Sequence, residues 1–431
     1  MSTSSRSSLS SLFILEDHQR RISNIGCLMH LIKGSIGPGL LMLPWGVRHA
    51  GIIAGPIYMV LIALINMHCM QILVKSSRYL CNYQPWTTVT LDIIVYYMVP
   101  FKDYNPCIKS RIFVNACLVL TQFGICCVFV LFVGQNIRQV FAVYWENIPG
   151  NRVFMALLII PVILLTFIEN LLCLLGFQQL RMPQFISVGM ILRYLTPNLP
   201  PVTSRPFIAE ITDFPLFVGG VIYAFEGIGV ILPLENAMRT PEYFPKIIYI
   251  GMTMISILYI VFGFIGYLKF GSKACGSITL NLPITPFYET ARVLYSFALF
   301  VTYPLQFYVI MEIIRASIDP DSKLKTKYLQ WTIKALIATF SCVCAIAVPS
   351  LGNYISLVGT TVTTTLAIIL PAVIETLTFH EKAGTTYQPI GDVTAGNASS
   401  SDEENERNEK NEEALHTKSC GHWNYAKTHS S

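Results

Sequence analysis

Hydrophobic residues in this chain of 431 residues are gathered into long runs that alternate with short polar segments. Each run is about 17–25 residues long, which is the length that a helix needs to cross a hydrocarbon layer of ~30 Å. The runs are continuous and do not alternate apolar with polar residues as barrel strands do. In lipid, only helices and closed barrels satisfy every backbone polar group. The pattern therefore predicts an all-α integral membrane protein.

We predict ten membrane spans from this pattern. They lie at residues 26–47, 52–74, 112–134, 153–168, 172–195, 215–233, 246–268, 290–314, 331–349 and 355–378. The fifth span has the shortest clean apolar run. Five residues interrupt it: Gln178, Gln179, Arg181, Pro183 and Arg193. The fifth span is therefore the least secure part of the predicted topology.

Polar segments flank the spans at both ends of the chain. Residues 1–25 are rich in Ser, and residues 380–431 include an acidic stretch that begins at Ser401. Such compositions cannot bury a core. We therefore expect a disordered cytosolic N-terminal tail at 1–25, a transmembrane domain at 26–379 and a disordered polar C-terminal tail at 380–431. With ten spans, Lys and Arg are more frequent on the side of the two tails, which predicts that both termini are cytosolic.

Composition agrees with a membrane protein and removes other classes of function. Only 13% of the residues are charged, against about 25% in a soluble domain. A formal net charge of +5 gives no reason to expect a nucleic-acid partner. Most of the twelve Cys lie in apolar runs, where Cys behaves as a small hydrophobe. We expect no disulfide scaffold, no metal site and no organic cofactor.

Two of the predicted spans contain residues that interrupt a helix. The interruption in span 1 consists of Gly34, Ser35, Ile36, Gly37, Pro38 and Gly39. The interruption in span 6 consists of Phe225, Glu226, Gly227, Ile228 and Gly229. Pro alone costs about 3 kcal/mol in a helix interior, and broken backbone is tolerated in lipid only where it faces protein or a cavity.

Two broken helices five spans apart are typical of secondary transporters built from inverted five-helix repeats, as in the leucine-transporter-like fold. The alternative interpretation is ordinary helix kinks or small-residue packing, because Gly is common in membrane helices. Six consecutive residues of Gly, Ser and Pro density in span 1 exceed what packing alone needs, which favours the transporter.

The breaks also predict the chemistry of a ligand. Unwound backbone exposes N–H groups, and the N-terminus of a half-helix adds a positive partial charge, so together they suit a carboxylate. Exposed carbonyls near the break in span 6 suit an ammonium group. We therefore predict that the residues of the two breaks bind a zwitterion. The predicted binding residues are Gly34, Ser35, Ile36, Gly37, Gly39, Phe225, Gly227, Ile228 and Gly229.

Ionisable residues inside spans are rare, and they are functional hypotheses by default. His30 and Lys33 lie on one face of span 1, His68 lies in span 2, and Glu226 lies in the break of span 6. His titrates nearest physiological pH, so His30 is a candidate for proton coupling. Glu226 is a second candidate, because it lies beside a helix break. Lys33 could instead reach towards the lipid interface, and His68 could be a hydrogen-bonded packing residue.

Four segments resemble the proton-coupled amino acid transporters of the amino acid/auxin permease family. Residues 30–41, with His30 followed by the Gly-rich break, resemble the first helix of that family. Residues 225–236 resemble its sixth helix, and residues 267–283 resemble the loop after its seventh. Residues 302–308 resemble its eighth helix, which adds Tyr303 to the predicted substrate site.

The resemblance implies transport of glycine, alanine, proline or similar small neutral amino acids, with the proton as coupling ion and His30 as the residue that carries it. It also implies the inverted-repeat fold. The chain departs from the family in two ways. Members resemble eleven-span proteins, whereas the pattern here gives no eleventh span, and Ser35 and Pro38 stand where Asn and Thr are commoner.

Three functions remain open at this point. The first is a proton-coupled symporter of small neutral amino acids. The second is a transporter-like amino acid sensor with little flux, and the third is a truncated product with impaired transport. An enzyme is not expected, because no paired carboxylates, His-x-x-x-His pair or Ser/His/Asp arrangement is present. The membrane would be the plasma membrane or an endosomal or lysosomal one, since 387–390 (Tyr387 to Ile390) fits the Tyr-x-x-apolar motif of sorting adaptors.

Overall fold

A computed structural model describes residues 22–80, 104–168, 182–317, 327–348 and 350–380. The predicted tails at 1–25 and 380–431 lie, apart from a few residues, outside the described part of the chain. Within it the regular structure is helical, and the β-structure consists of one isolated bridge between Ile22 and Met238. The prediction of an all-α protein is confirmed.

Fourteen α-helices make up the fold of the residues that the structure describes. They are α1 (Asn24–Ser35), α2 (Pro38–Arg48), α3 (Ala54–Leu80), α4 (Tyr104–Phe141), α5 (Asn151–Leu157), α6 (Ile159–Thr166), α7 (Met182–Leu195), α8 (Phe214–Ala224), α9 (Ile228–Asn236), α10 (Phe244–Phe270), α11 (Pro286–Ser317), α12 (Lys327–Ala347), α13 (Leu351–Val358) and α14 (Leu370–His380). Two π-helical turns, Gly359–Thr363 and Thr365–Ile369, join α13 to α14. Short 3-10 turns occur at Val202–Ser204, Ile211–Asp213, Pro241–Tyr243, Gly271–Lys273 and Ile278–Asn281.

Six helical stretches of the described chain are long and apolar enough to cross a membrane. They are Ala54–Tyr79, Ile112–Phe141, Pro241–Lys273, Pro286–Arg315, Tyr328–Ala347 and Leu351–Thr376. The bent pair α1 and α2 makes a seventh if it is one span. Shorter apolar helices, Asn151–Thr166 and Ile211–Ala224, occupy the positions of predicted spans 4 and 6. These helices make the chain an integral membrane protein, while the total of ten spans stays a prediction.

The outward sides of the long helices are apolar, as lipid requires. On α3 and α10 the exposed large side chains include Ile57, Leu61, Leu64, Ile65, Ile250, Met254, Ile257 and Val261. Helix α2 differs, because every residue from Pro38 to Val47 is buried. It lies inside the bundle, where small residues permit close approach of helices. A Cβ added at Gly266 of α10, for example, would lie 2.4 Å from Pro44 of α2.

Span 1 and span 6 run antiparallel and are joined at both ends. At one end, the N–H of Ile22 donates to the carbonyl of Ala237 at 2.9 Å, just after α9. At the other end, the N–H of Ala209, before α8, donates to the carbonyl of Ala50, after α2, at 2.9 Å. The start of one span therefore meets the end of the other, and their central breaks are brought to the same level.

Candidate functional site

Both predicted interruptions are present as breaks in helical structure. Between α1 and α2, Ile36 and Gly37 have extended backbone, and the two helices are bent by 54°. Pro38 is the first residue of α2, the position where its missing N–H costs nothing. Between α8 and α9 the helix stops at Ala224 and resumes at Ile228. Each break thus brings the C-terminus of one half-helix near the N-terminus of the next.

Tyr259 of α10 connects the two breaks. Its side chain is fully buried, and its hydroxyl donates to the carbonyls of Ser35, at the end of α1, and Ala224, at the end of α8. The distance to the Ala224 oxygen is 2.9 Å. Because a hydroxyl has one proton, the two carbonyls share a single donor. The ring also packs against the ring of Phe225, with centroids 5.0 Å apart.

The carbonyls of the first break are held by two further side chains. The amide nitrogen of Gln184, on α7, donates to the carbonyl of Ile36 at 2.5 Å and to the hydroxyl of Tyr295 at 3.1 Å. That hydroxyl, on α11, donates in turn to the carbonyl of Gly37 at 2.8 Å. Gln184 is almost fully buried. Part of the polarity of the fifth predicted span is thereby explained, since one of its polar residues satisfies the unwound backbone of span 1.

The second break is held from α3. The side-chain nitrogen of Asn66 donates to the carbonyl of Phe225 at 2.7 Å. Asn66 is buried, and its side-chain oxygen has no hydrogen-bond partner among the described residues. A buried acceptor without a partner is costly. The Asn66 oxygen can therefore accept a hydrogen bond near the second break.

The glycines of the site fall into two groups that the sequence did not separate. A Cβ added at Gly34 or Gly37 would meet no atom within 4 Å. At Gly227 and Gly229 the nearest atoms would be a methyl of Met70 at 3.7 Å and one of Leu118 at 3.9 Å. Gly34 and Gly37 therefore border open space, whereas a Cβ at Gly227 or Gly229 would make an ordinary van der Waals contact. By contrast, a Cβ at Gly39 would lie 2.7 Å from the Cα of Ala224, so Gly39 lets α2 and α8 approach each other.

The remaining predicted residues lie in different surroundings. His30 is half-buried on α1, on the same half of span 1 as Ser35, whereas His68 on α3 is exposed. Glu226 is partly buried in the second break, and Ile228 is fully buried. Tyr303, on α11, is buried, and its hydroxyl lies 2.9 Å from that of Ser341 on α12. The hydroxyl of Tyr303 is therefore directed towards α12.

Sequence reasoning missed the polar residues that surround the breaks. Asn66, Gln184, Tyr259 and Tyr295 each hold a carbonyl of a break, and each lies in another predicted span or beside one. The available signal was a polar side chain inside an apolar run, because such residues in lipid must bond to something. His49, just after α2, was also missed, and its side chain pairs with Asp213 at 3.0 Å.

The helix ends explain what the breaks can hold. The N-terminal N–H groups of a helix have no partner within the helix and carry a positive partial charge. Two such N-termini, those of α2 and α9, occur at the breaks. The carbonyls at the opposing C-termini already accept hydrogen bonds from Tyr259. Polar backbone at interrupted helices inside an apolar bundle is typical of membrane transport proteins.

Comparison with known proteins gives the family. Residues 20–390 match the family of transmembrane amino acid transporter proteins, so the chain belongs to that family. It is 32% identical over 382 residues to the "Proton-coupled amino acid transporter-like protein pathetic" of Drosophila melanogaster, a match that covers 86% of this chain and 80% of the relative. It is 26% identical over 371 residues to the "Amino acid transporter AVT3C" of Arabidopsis thaliana, covering 81% of each chain.

The match confirms the resemblance found in the sequence. Both relatives are named as amino acid transporters or transporter-like proteins, and the first is named as proton-coupled. The prediction that the chain is not an enzyme is confirmed as well, since the family is one of transporters.

Proposed function

We propose that this protein is a secondary active transporter that carries small neutral amino acids, such as glycine, alanine or proline, together with protons. The observation that carries the proposal is the pair of broken helices joined by Tyr259. A single side chain there contacts the backbone at both breaks. A ligand that binds at one break would therefore alter the hydrogen bonding at the other. The relative from Drosophila melanogaster, named as proton-coupled, supports the same function.

The proposed substrate site consists of the residues predicted from the sequence. They are Gly34, Ser35, Ile36, Gly37, Gly39, Phe225, Gly227, Ile228, Gly229 and Tyr303. The N-termini of α2 and α9 would receive the carboxylate of the amino acid. The carbonyls of the breaks would receive the ammonium group, because each carbonyl has a second lone pair beyond the one used by Tyr259, Gln184, Tyr295 or Asn66.

A small apolar side chain fits the surroundings of the second break best. The groups nearest to Gly227 and Gly229 are Met70 and Leu118. Both are uncharged, and both lie less than 4 Å from where a Cβ would stand on the glycine. A charged substrate side chain there would find no matching charge on either residue. The uncharged lining by Met70 and Leu118 supports neutral over charged amino acids as substrates.

Ten spans in two inverted five-helix repeats would place this site at the repeat interface. The antiparallel course of spans 1 and 6 supports the inversion, since corresponding helices of inverted repeats must run in opposite directions. The end of span 1 meets the start of span 6 at His49 and Asp213. The start of span 1 meets the end of span 6 at Ile22 and Met238.

His30 and Glu226 are the proposed proton-coupling residues. His30 is half-buried on the first half of span 1, and Glu226 lies within the second break. Each can gain and lose a proton during a transport cycle, and each lies on an interrupted span. Binding of the zwitterion and of the proton would then be coupled through the same two helices.

Flux in liposomes tests the proposal. The purified protein is reconstituted, and uptake of radiolabelled alanine is measured with an acidic exterior, with equal pH on both sides, and with a protonophore. We expect accumulation only with the pH gradient intact. Identical alanine uptake in all three conditions would rule out proton coupling. Absence of uptake of every neutral amino acid tested would rule out transport.

The amino acid sensor is the second candidate function. The long polar segments outside the spans favour it, because a sensor signals through such tails. A ligand that binds only the folded state raises thermal stability. A sensor would therefore be stabilised by alanine in detergent while showing no flux in liposomes, and a product with impaired transport would show neither.

The proposed membranes are the plasma membrane and the endosomal or lysosomal membranes. Tyr387 to Ile390 would provide the address by binding sorting adaptors, and these residues lie outside the described part of the chain. Replacing Tyr387 by Ala should move a fluorescently tagged protein from internal membranes to the cell surface. An unchanged distribution would rule out this motif as the sorting signal.

A further inference from the structure

A buried histidine and a carboxylate join the end of span 1 to the start of span 6. His49 directly follows α2, and Asp213 ends the 3-10 turn Ile211–Asp213 that leads into α8. The imidazole Nδ1 lies 3.0 Å from the Asp213 carboxylate, and the imidazole is about 10% exposed whereas the carboxylate is 48% exposed. The pair therefore joins one buried and one solvated partner.

The surroundings fix the imidazole in place. Its ring packs edge-on against Trp45, one turn earlier, with centroids 4.3 Å apart. The other ring nitrogen, Nε2, is buried and has no hydrogen-bond partner in the described part of the chain. Asp213 is thus the polar group that the structure sets against this side chain.

Three cations at this end of the bundle donate to backbone carbonyls. Arg48 donates to the carbonyl of Ala274 at 3.3 Å, and Arg205 donates to the carbonyl of Leu268 at 3.0 Å. Lys269 donates to the carbonyl of Pro197 at 2.5 Å. Glu210 is exposed on the same segment as Asp213. Tyr267 on α10 and Tyr354 on α13 are further titratable groups on the neighbouring elements, and Lys273 lies in the 3-10 turn after α10.

This contact joins the two half-helices that would have to move in the proposed transport cycle. Helix α2 leads from the first break to His49, and α8 leads from Asp213 to the second break. The two helices pack along their length, with Gly39 against Ala224 and Gly46 facing Phe217. Separation of α2 from α8 at this end would open a route to both breaks, and the His49–Asp213 pair opposes that separation.

We propose that His49 and Asp213 form a second proton-binding site, which closes the route to the two breaks from this end of the protein when it is protonated. It is distinct from His30, which lies on the other half of span 1. A proton from the solution on this side converts the neutral imidazole into a cation that pairs with the Asp213 carboxylate. Loss of that proton leaves a hydrogen bond from the neutral imidazole to the Asp213 carboxylate, which is weaker than the ion pair.

The proposal rests on the broken-helix transporter described above, and it gives the direction of the effect. An acidic solution on this side would load the proton and hold α2 against α8, so it would slow both entry and exit of substrate at this end. Return to neutral pH would loosen the contact. The site would thus link the pH of one compartment to the accessibility of the substrate site from that compartment.

Thiol accessibility tests the closure without requiring transport. Gly37→Cys places a thiol in open space at the first break, and a membrane-impermeant thiol reagent is added to the side of His49 in reconstituted vesicles. Gly150→Cys, in the exposed loop before α5, reports the reactivity of a thiol that the closure does not affect. The measured quantity is the ratio of the two rates at about pH 5.5 and about pH 7.5, the range in which His changes charge.

We expect the ratio to fall about fivefold at the acidic pH, on the order of what a charge added to one partner contributes to a hydrogen bond. In His49→Gln and Asp213→Asn the ratio should be the same at both pH values, while Glu210→Gln, the matched control, should behave as the wild type. The proposal is overturned if the wild-type ratio does not depend on pH, or if His49→Gln retains the dependence.

A second measurement separates this proposal from the proposed function. Alanine uptake is recorded as a function of external pH for the wild type, His49→Gln and His30→Gln. A shifted or flattened pH profile in His49→Gln, with accumulation retained, supports a closure site. If the profile is unchanged, the closure site fails while transport stands. If the wild type shows no uptake, transport fails, and the thiol measurement still decides the closure.

Discussion

The hydroxyl of Tyr259 lies 2.9 Å from the carbonyl oxygen of Ala224, at the point where α8 ends. The same hydroxyl donates to the carbonyl of Ser35, where α1 ends. One donor therefore serves the C-termini of two half-helices that are far apart in the sequence. The two breaks, where the substrate site is proposed, are thus linked by one side chain.

Removing that hydroxyl should impair transport while leaving the fold intact. In Tyr259→Phe the ring contact with Phe225 remains, but a buried donor is lost, which costs about 1–3 kcal/mol. We expect the rate of alanine uptake per reconstituted protein to fall on the order of tenfold to a hundredfold. Tyr249→Phe, on the exposed side of the same helix, is the control. A normal rate in Tyr259→Phe would show that the bridge is dispensable.

Two neighbouring glycines should respond differently to the same substitution. Gly37→Val adds atoms to open space, so the protein should remain folded and lose alanine uptake. Gly39→Val drives a Cβ to 2.7 Å from the Cα of Ala224, so it should lower the yield of folded protein. Uptake and size-exclusion profiles separate the two effects.

Gly189→Val is the matched control for these substitutions, since its Cβ also meets no atom within 4 Å but lies on α7, away from the break. It should keep both fold and uptake. Gly227→Val and Gly229→Val should resemble Gly37→Val. Normal uptake by Gly37→Val together with Gly229→Val would contradict a substrate site at the breaks.

His30 should be required for accumulation driven by pH. A gradient of two pH units stores ~2.7 kcal/mol per proton, at ~1.36 kcal/mol per unit. Coupled one to one, this supports roughly a hundredfold accumulation of the amino acid. His30→Ala should abolish it, and His68→Ala, which alters an exposed side chain, should have a smaller effect. If both variants still accumulate alanine, the coupling residue lies elsewhere, and Glu226→Gln is the next variant to measure.

Gln184 should matter for transport although it belongs to the weakest predicted span. Gln184→Leu removes the donor to the carbonyl of Ile36 and to the hydroxyl of Tyr295. We expect uptake to fall on the order of tenfold, for the loss of buried hydrogen bonds. Ser187→Ala, which loses only a bond to Pro183 within the same helix, should be close to the wild type. Equal uptake by both variants would argue against support of span 1 by α7.

The ten-span topology makes a separate prediction for the C-terminal tail. The one glycosylation sequon of the chain begins at Asn397, and glycans are added on the lumenal side. With both termini cytosolic, Asn397 should stay unmodified, and a tag after Ser431 should be cleaved by protease added to the cytosolic side. A glycosidase-sensitive gel shift that disappears in Asn397→Gln would contradict ten spans, because failure of span 5 to insert inverts every later helix.

The sequence by itself determined the class of protein, the positions of the two breaks and the family. These features are local. The length of an apolar run determines whether it can form a membrane-spanning helix, and clustered Gly and Pro interrupt that helix whatever surrounds it. The resemblance around His30 and around residues 225–236 rested on the same short segments, and the family match confirmed it. The predicted roles of individual site residues stay predictions.

The tertiary structure alone decided which side chains hold the breaks and which glycines border open space. Gln184 lies 148 residues from Ile36, Asn66 lies 159 from Phe225, and His49 lies 164 from Asp213. No local pattern encodes such partners. Gly37 and Gly39 are two residues apart and look alike in sequence. They differ only because α8 packs against one of them, and that contact exists only after the bundle has folded.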